Sequence, residues 1–314
     1  MWAVSVAIQQ TKCELCPRAC GANRAQGKTG VCGANDTLRI ARAVLHEWEE
    51  PCISVGPGSG TVFFCGCPLR CVYCQNYDIA HGRHGTEITL ERLEDIYFEL
   101  VAQGAANINL VTPTQYVPEI IESISSARER GLSVPVIYNT SGYESVDTVE
   151  SLAGTVDVYL ADFKYWRGDE SDAAKKYSRA ADYFELASAA FDAMVEQVGE
   201  PVFSDEEEPR LLRGVMMRHL LLPGRLEDSM KLMAFLWHRY GNRILYSVMN
   251  QYTPIRAFPA MPELESRVPD EEYEILLDFM DELGMDQYFW QEGGAAEESF
   301  IPAFDNTGVF PVDH

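Results

Sequence analysis

Six apolar runs, each closed by a polar cluster and followed by a helix-like stretch, restrict this 314-residue chain to few architectures. Strands are expected at 60–64, 107–112, 134–138, 156–163, 212–222 and 243–249. They are rich in Val, Ile, Leu and Tyr and lack polar alternation, which suits parallel strands covered on both faces. Between them apolar residues return at helical spacing. Leu93, Ile96, Tyr97, Leu100 and Val101 do so between Thr89, a predicted N-cap, and Gly104, a predicted stop. Ile120, Ile121 and Ile124 repeat the pattern, as do Met230, Met233, Ala234 and Trp237, and finally Tyr273, Leu276, Leu277 and Met280. These stripes read as helix faces packed on a sheet. The span 169–200 is long enough for two helices. Right-handed crossovers between successive strands then build a parallel sheet. The fold class read here is α/β, a partial (β/α)6 TIM-like barrel, with a doubly wound open sheet as the alternative.

The nine cysteines all lie between Cys13 and Cys74. A disulfide framework would spread more widely, and a chain of this size does not need one, so clustered metal ligation in a reducing cytoplasm is the better reading. Cys67, Cys71 and Cys74 stand in a Cys-x-x-x-Cys-x-x-Cys loop directly after the first strand. Three thiolates can hold three irons of a cubane and leave the fourth iron open, whereas an electron carrier closes its cluster with a fourth cysteine. Cys13, Cys16, Cys20 and Cys32, spaced by two, three and eleven residues in a glycine-rich segment, form a second group. Four thiolates suit zinc or a second iron–sulfur cluster, and sulfur ligation alone does not separate them. Cys52 and Cys65 read as small buried residues.

These boundaries divide the chain into a cysteine-rich extension (1–58), a barrel core (59–255) and a C-terminal helix and tail (256–314). In the tail, Phe300, Phe304 and Phe310 are expected to pin the chain to the body. A net charge of −23 argues against duplex DNA or an anionic membrane surface as the main partner. Residues 1–8 lack the basic leader of a signal peptide, and no run of about 18 apolar residues predicts a spanning helix.

In α/β barrels the reactive groups gather at the C-terminal ends of the strands. Here those ends are the three-cysteine loop, Thr112-Pro-Thr114, Asn139-Thr-Ser141, Asp162-Phe-Lys164, Arg218-His219 and Met249-Asn-Gln-Tyr252. All six are polar or special while the strand bodies are apolar, which points to one shared polar pocket around the cysteine loop. Arg218 and His219 are neighbours on a strand and therefore face opposite ways. His46, His81, His84 and His238 read as loop or surface residues.

The Cys67-x-x-x-Cys71-x-Tyr73-Cys74 loop resembles the signature of the radical S-adenosylmethionine (SAM) superfamily. Further stretches resemble homologues of the pyruvate formate-lyase-activating enzyme, the PflX type. They include Cys13-x-x-Cys16-Pro-Arg-x-Cys20, Glu49-Glu-Pro-Cys-Ile-Ser54, Asn107-Ile-Asn-Leu-Val-Thr-Pro-Thr114, Asp162-Phe-Lys-Tyr165 and Arg218-His-Leu-Leu-Leu-Pro-Gly224. The likeness runs from about residue 11 to 255.

The resemblance implies a 4Fe-4S cluster on Cys67, Cys71 and Cys74, with SAM chelating the free iron. Reductive cleavage then gives a 5′-deoxyadenosyl radical that abstracts hydrogen, in an oxidoreductase supplied by a flavodoxin- or ferredoxin-type electron donor. It also implies that Tyr73 lies near the adenine and that Lys164, partnered by Asp162, meets the methionine carboxylate. Asn139 and Ser141 would bond the ribose or the carboxylate, and Arg218 would be a second anion clamp. Thr112 and Thr114 stand where many members carry a Gly-Gly-Glu that contacts the methionine amine, a departure from the pattern. The substrate is then a glycyl-radical protein, which makes the chain an activase, or a small molecule or peptide. A non-catalytic iron–sulfur carrier is the remaining reading.

Overall fold

The computed structural model describes residues 11–82, 84–167, 172–291 and 303–311. The stretch 1–8 and Phe300 lie outside them. Six strands, β2 (Ser59–Phe64), β4 (Ile108–Val111), β5 (Val136–Thr140), β6 (Val158–Asp162), β8 (Leu211–Leu220) and β9 (Leu245–Met249), lie side by side in chain order. Every neighbouring pair among them is parallel. Strand order without reversal is what successive right-handed crossovers produce, and it has no switch point of the doubly wound kind. The mostly parallel α/β sheet fits a partial barrel. β2, β4 and β5 are buried at every position, which explains their unbroken apolar runs.

Four strands are absent from the sequence-based expectation. β1 (Arg39–His46) pairs antiparallel with β2 and also with β3 (Thr86–Glu87). β7 (Val202–Phe203) pairs antiparallel with β8, and β10 (Phe289–Trp290) pairs parallel with β9. Three of these have only two residues, too short for any period to register, and β1 carries Arg39 and Arg42 among its apolar residues. The first strand to join the sheet therefore comes from the segment read as an extension.

Helices fill the intervals, and the stripes mark their buried faces except after β8, where Ser229, Leu232, Met233, Leu236 and Tyr240 face inward and Met230, Ala234 and Trp237 are half-buried. α1 (Tyr77–Ala80) follows the cysteine loop. α2 (Leu90–Ala102) starts where Thr89 Oγ1 accepts the Arg92 amide at 3.1 Å, satisfying one of the orphan donors of its first turn. α3 (Val117–Glu129) and α4 (Val146–Ser151) follow β4 and β5. α5 (Ala173–Ser178) and α6 (Tyr183–Val198) are the two helices expected after β6, and α7 (Leu226–Tyr240) and α8 (Asp270–Glu282) follow β8 and β9. Leu93, Ile120, Phe191, Leu232 and Leu276 have essentially no exposure. Each such side chain stabilises the helix-on-sheet layer by about 1.5–3 kcal/mol relative to exposure.

In the tail, Phe304 packs edge-on against Phe63 at 5.6 Å between ring centroids. Phe310 does not pin the chain through its ring, which is 59% exposed. Its carbonyl does the work instead, accepting from Arg92 Nη2 at 2.9 Å.

Candidate active site

The cysteine loop begins where β2 ends. Gly66 takes a φ of +90°, its amide bonds the Ile79 carbonyl of α1, and the Cys67 amide bonds the Cys32 carbonyl at 3.1 Å. Cys67 and Cys71 are buried and Cys74 is half-buried, all three facing one cavity. Burial pushes the Cys67 thiol up to about 11. Behind Cys71, Ser178 Oγ donates to its sulfur at 3.1 Å and the Tyr165 hydroxyl lies 3.7 Å from it. Tyr73 is boxed edge-on by Tyr165, Tyr177 and Tyr252 at 6.0–6.4 Å and also lines the cavity.

The cavity measures about 220 Å³, more than ten times the ~10–15 Å³ that one buried water needs. Ten of the eleven expected site residues of the core line it. The exception is Thr114, whose hydroxyl donates to Glu144 Oε1 at 2.6 Å beneath the wall. Thr112 reaches the cavity at a φ of +57°, a strained value for a β-branched residue, held by its amide bond to the Asn139 carbonyl at 2.8 Å. Gln115 braces this turn, its amide nitrogen donating to the carbonyls of Thr112, Cys65 and Gly66.

One ion-pair network spans the ends of β5, β6 and β8. Lys164 Nζ meets Asp162 Oδ2 at 2.5 Å, and Arg218 Nε meets Asp162 Oδ1 at 3.0 Å. Arg218 Nη1 donates to Glu49 at 2.9 Å and Nη2 to Asn139 at 2.8 Å, while Asn109 donates to Glu49 Oε1 at 3.0 Å. All three guanidinium nitrogens are thus engaged by the wall itself. Burial works to raise the Asp162 carboxyl, but Lys164 and Arg218 hold it below its usual range. Burial likewise opposes the charge of Lys164, and Asp162 outweighs it. The ammonium has three donors, of which Asp162 takes one.

His219 faces away from Arg218, as strand alternation requires, bonding the Phe163 carbonyl at 2.7 Å and Ser229 at 2.8 Å. His46, read from sequence as a loop or surface residue, instead closes β1 and lines the cavity beside Trp48 and Glu49. The Glu49-Glu-Pro-Cys-Ile-Ser stretch was the signal available for these residues, although nothing in it specifies which side chain turns inward. Glu144 was also missed. Burial pushes its carboxyl up to about 7 against hydroxyl donation from Thr114 and Thr140.

Among the described residues no three His, Cys, Asp or Glu side chains stand at the spacing of a single metal ion. A cubane spreads its thiolates wider than one ion does, and three thiols on one buried loop with an open side fit that group. Cys65 and Cys52 turn away, Cys65 towards the His84 carbonyl and Cys52 into an apolar cluster with Ile137 and Leu211.

Residues 61–205 match the model of the Radical SAM superfamily. That match supports an enzyme of the radical SAM kind. An uncharacterized protein of Methanocaldococcus jannaschii is 27% identical over 284 residues, covering 87% of this chain and 75% of that one. The pyruvate formate-lyase-activating enzyme of Clostridium pasteurianum is 33% identical over 129 residues, 38% of this chain and 52% of that enzyme. Among solved structures, a radical SAM methyltransferase from Sphaerobacter thermophilus shares the fold with a TM-score of 0.51 at 15% identity, covering 76% of this chain and 68% of the other. The superfamily implies a 4Fe-4S cluster and SAM, together with a substrate and an electron donor. Among the described residues no helix is long and apolar enough to cross a membrane.

Proposed function

We propose that the protein cleaves SAM reductively at a cluster held by Cys67, Cys71 and Cys74 and uses the product to abstract hydrogen from a substrate. The observation that carries this reading is the convergence of those three thiols with Tyr73, Asp162, Lys164 and Arg218 on one cavity. When bound, the cluster supplies the electron that breaks the sulfonium C–S bond and yields a 5′-deoxyadenosyl radical. The chain supplies orientation and exclusion of water. Lys164 takes the methionine carboxylate, with Asp162 fixing its ammonium. Arg218 acts through the wall: engaged by Asp162, Glu49 and Asn139, it orients the two carboxylates and the amide. Thr112, Asn139 and Ser141 offer hydroxyl and amide groups to the ribose and the amine. Tyr73 and its aromatic neighbours keep the loop dry.

Two substrate classes remain compatible. Likeness to the Clostridium activating enzyme over 129 residues supports abstraction from a glycine of a partner protein. His46, Trp48 and Glu49, which line the cavity beside the cysteine loop, offer aromatic and polar contacts to a small molecule or peptide instead. Anaerobically reconstituted protein with dithionite and SAM is expected to release 5′-deoxyadenosine. Cys71→Ala abolishes it and Cys52→Ala does not. A wild-type preparation with a verified cluster that yields none rejects the reading.

A further inference from the structure

Residues 11–34 contain one short 3-10 turn, Arg24–Gln26, and bury few apolar side chains, Leu15 and Ala34 among them. So little apolar burial does not offset the entropy of ordering two dozen residues, roughly 1–2 kcal/mol each for the backbone alone. The segment nevertheless folds around four free thiols. Cys13 and Cys32 are buried, and Cys16 and Cys20 are half-buried. The backbone closes around them, the Cys13 amide donating to the Ala22 carbonyl and the Gly21 amide to the Cys13 carbonyl, both at 3.0 Å. A Cβ built on Gly30 would touch the sulfurs of both Cys20 and Cys32, at 3.2 and 3.4 Å.

This segment is also fastened to the radical-site loop. The Cys32 carbonyl accepts from the Cys67 amide at 3.1 Å, and it approaches Gly66 so closely that a Cβ there would lie 2.8 Å from it. Arg18, between Cys16 and Cys20, donates to the carbonyls of Pro68 at 2.9 Å and Ser178 at 2.7 Å. Arg70 returns the contact, donating to the Val31 carbonyl at 2.7 Å.

We propose that Cys13, Cys16, Cys20 and Cys32 bind a second metal centre through four thiolates, and that this centre clamps the loop carrying Cys67, Cys71 and Cys74. Four sulfur ligands close the site, which makes it structural, with no position left for substrate. A single tetrahedral zinc would set its sulfurs about 3.8 Å apart on bonds of about 2.3 Å. Sulfur ligation alone does not separate zinc from an iron–sulfur cluster, so the metal analysis below decides between them.

The full-length C67A/C71A/C74A variant, reconstituted anaerobically with iron and sulfide in the presence of zinc and then desalted, reads the site without any need for activity. Iron with matching acid-labile sulfide, or zinc without sulfide, establishes the centre and identifies it. A variant folded by circular dichroism that retains neither overturns it. Should that variant not fold, the wild type and a C13S/C16S/C20S/C32S variant are compared. The centre predicts that the latter lacks the second metal increment, and equal metal contents overturn it. The clamp rests on the radical-site reading, whereas the metal content does not, so the two can fail separately. In the four-serine variant, iron at the radical site is expected to pass to a chelator several-fold faster than in the wild type. An unchanged rate rejects the clamp.

Discussion

Ser178 and Tyr165 reach the Cys71 sulfur from behind the loop, and their hydroxyls bond each other at 2.6 Å. Hydrogen bonds to a cluster's sulfur ligands favour the more negative, reduced state and so raise its potential. Ser178→Ala removes the shorter bond and leaves the helix and the thiol in place. The midpoint potential of the reconstituted cluster is expected to fall by tens of millivolts, on the order of 1 kcal/mol for a one-electron couple. A redox titration followed by electron paramagnetic resonance measures it, and a potential unmoved by the substitution would mean that the hydroxyl points elsewhere once iron is bound. Neither residue could have been assigned to the cysteine loop from sequence, because they lie 94 and 107 positions downstream of Cys71 and only the crossover geometry brings them back.

β8 holds two opposite roles in adjacent residues. Arg218 faces the cavity, while His219 is buried between the end of β6 and α7. Burial pulls the His219 imidazole down to about 4 from a usual 6.5. Its folded value is depressed, so the unfolded chain binds the extra proton between the two. Stability is then fully present above about 6.5 and is lost as pH falls towards 4. Between about pH 7.5 and about pH 5 this one group should cost on the order of 2 kcal/mol. Urea denaturation of wild type and His219→Gln at both pH values isolates it, since the variant should lose markedly less stability on acidification. The strand's two-sidedness was legible from alternation alone, as were the six parallel strands and their polar ends. What remained hidden were contributions with no period to read. β1 carries arginines, and its partner choice depends on β2 rather than on its own pattern. Trp48 and Glu49 turn into the cavity only because β1 delivers them there. Glu144 lies in a loop whose sequence, Ser141-Gly-Tyr-Glu144, resembles any polar turn, and only burial beneath Thr114 and Thr140 sets it apart.

Across the whole molecule, the segment 303–311 packs on β1, the strand whose last residue, His46, lines the cavity. Thr307 accepts from the Ala43 amide at 2.9 Å and the Asn306 amide donates to the Ala41 carbonyl at 3.1 Å, covering β1 beyond its pairing with β3. Arg92 of α2 gathers the Val309 and Phe310 carbonyls, and Phe304 backs Phe63, which itself lines the cavity. This strapping covers backbone that would otherwise be an open strand edge. Its weakest tolerance is at Gly308. The residue has a φ of +72°, and a Cβ there would come within 2.0 Å of the Ala43 carbonyl oxygen, a backbone atom that cannot rotate away. Gly308→Ala should therefore release the segment, at a cost of about 1–3 kcal/mol in stability. Hydrogen exchange would report it as faster exchange at the Ala43 and Asn306 amides, with the β4–β5 core amides unchanged. Release also frees Phe63 from Phe304, so the variant's cavity wall at His46 and Phe63 should loosen, and SAM affinity measured by calorimetry should weaken modestly. Unaltered exchange at Ala43 would mean that the tail is held by Arg92 alone and that β1 keeps its own edge.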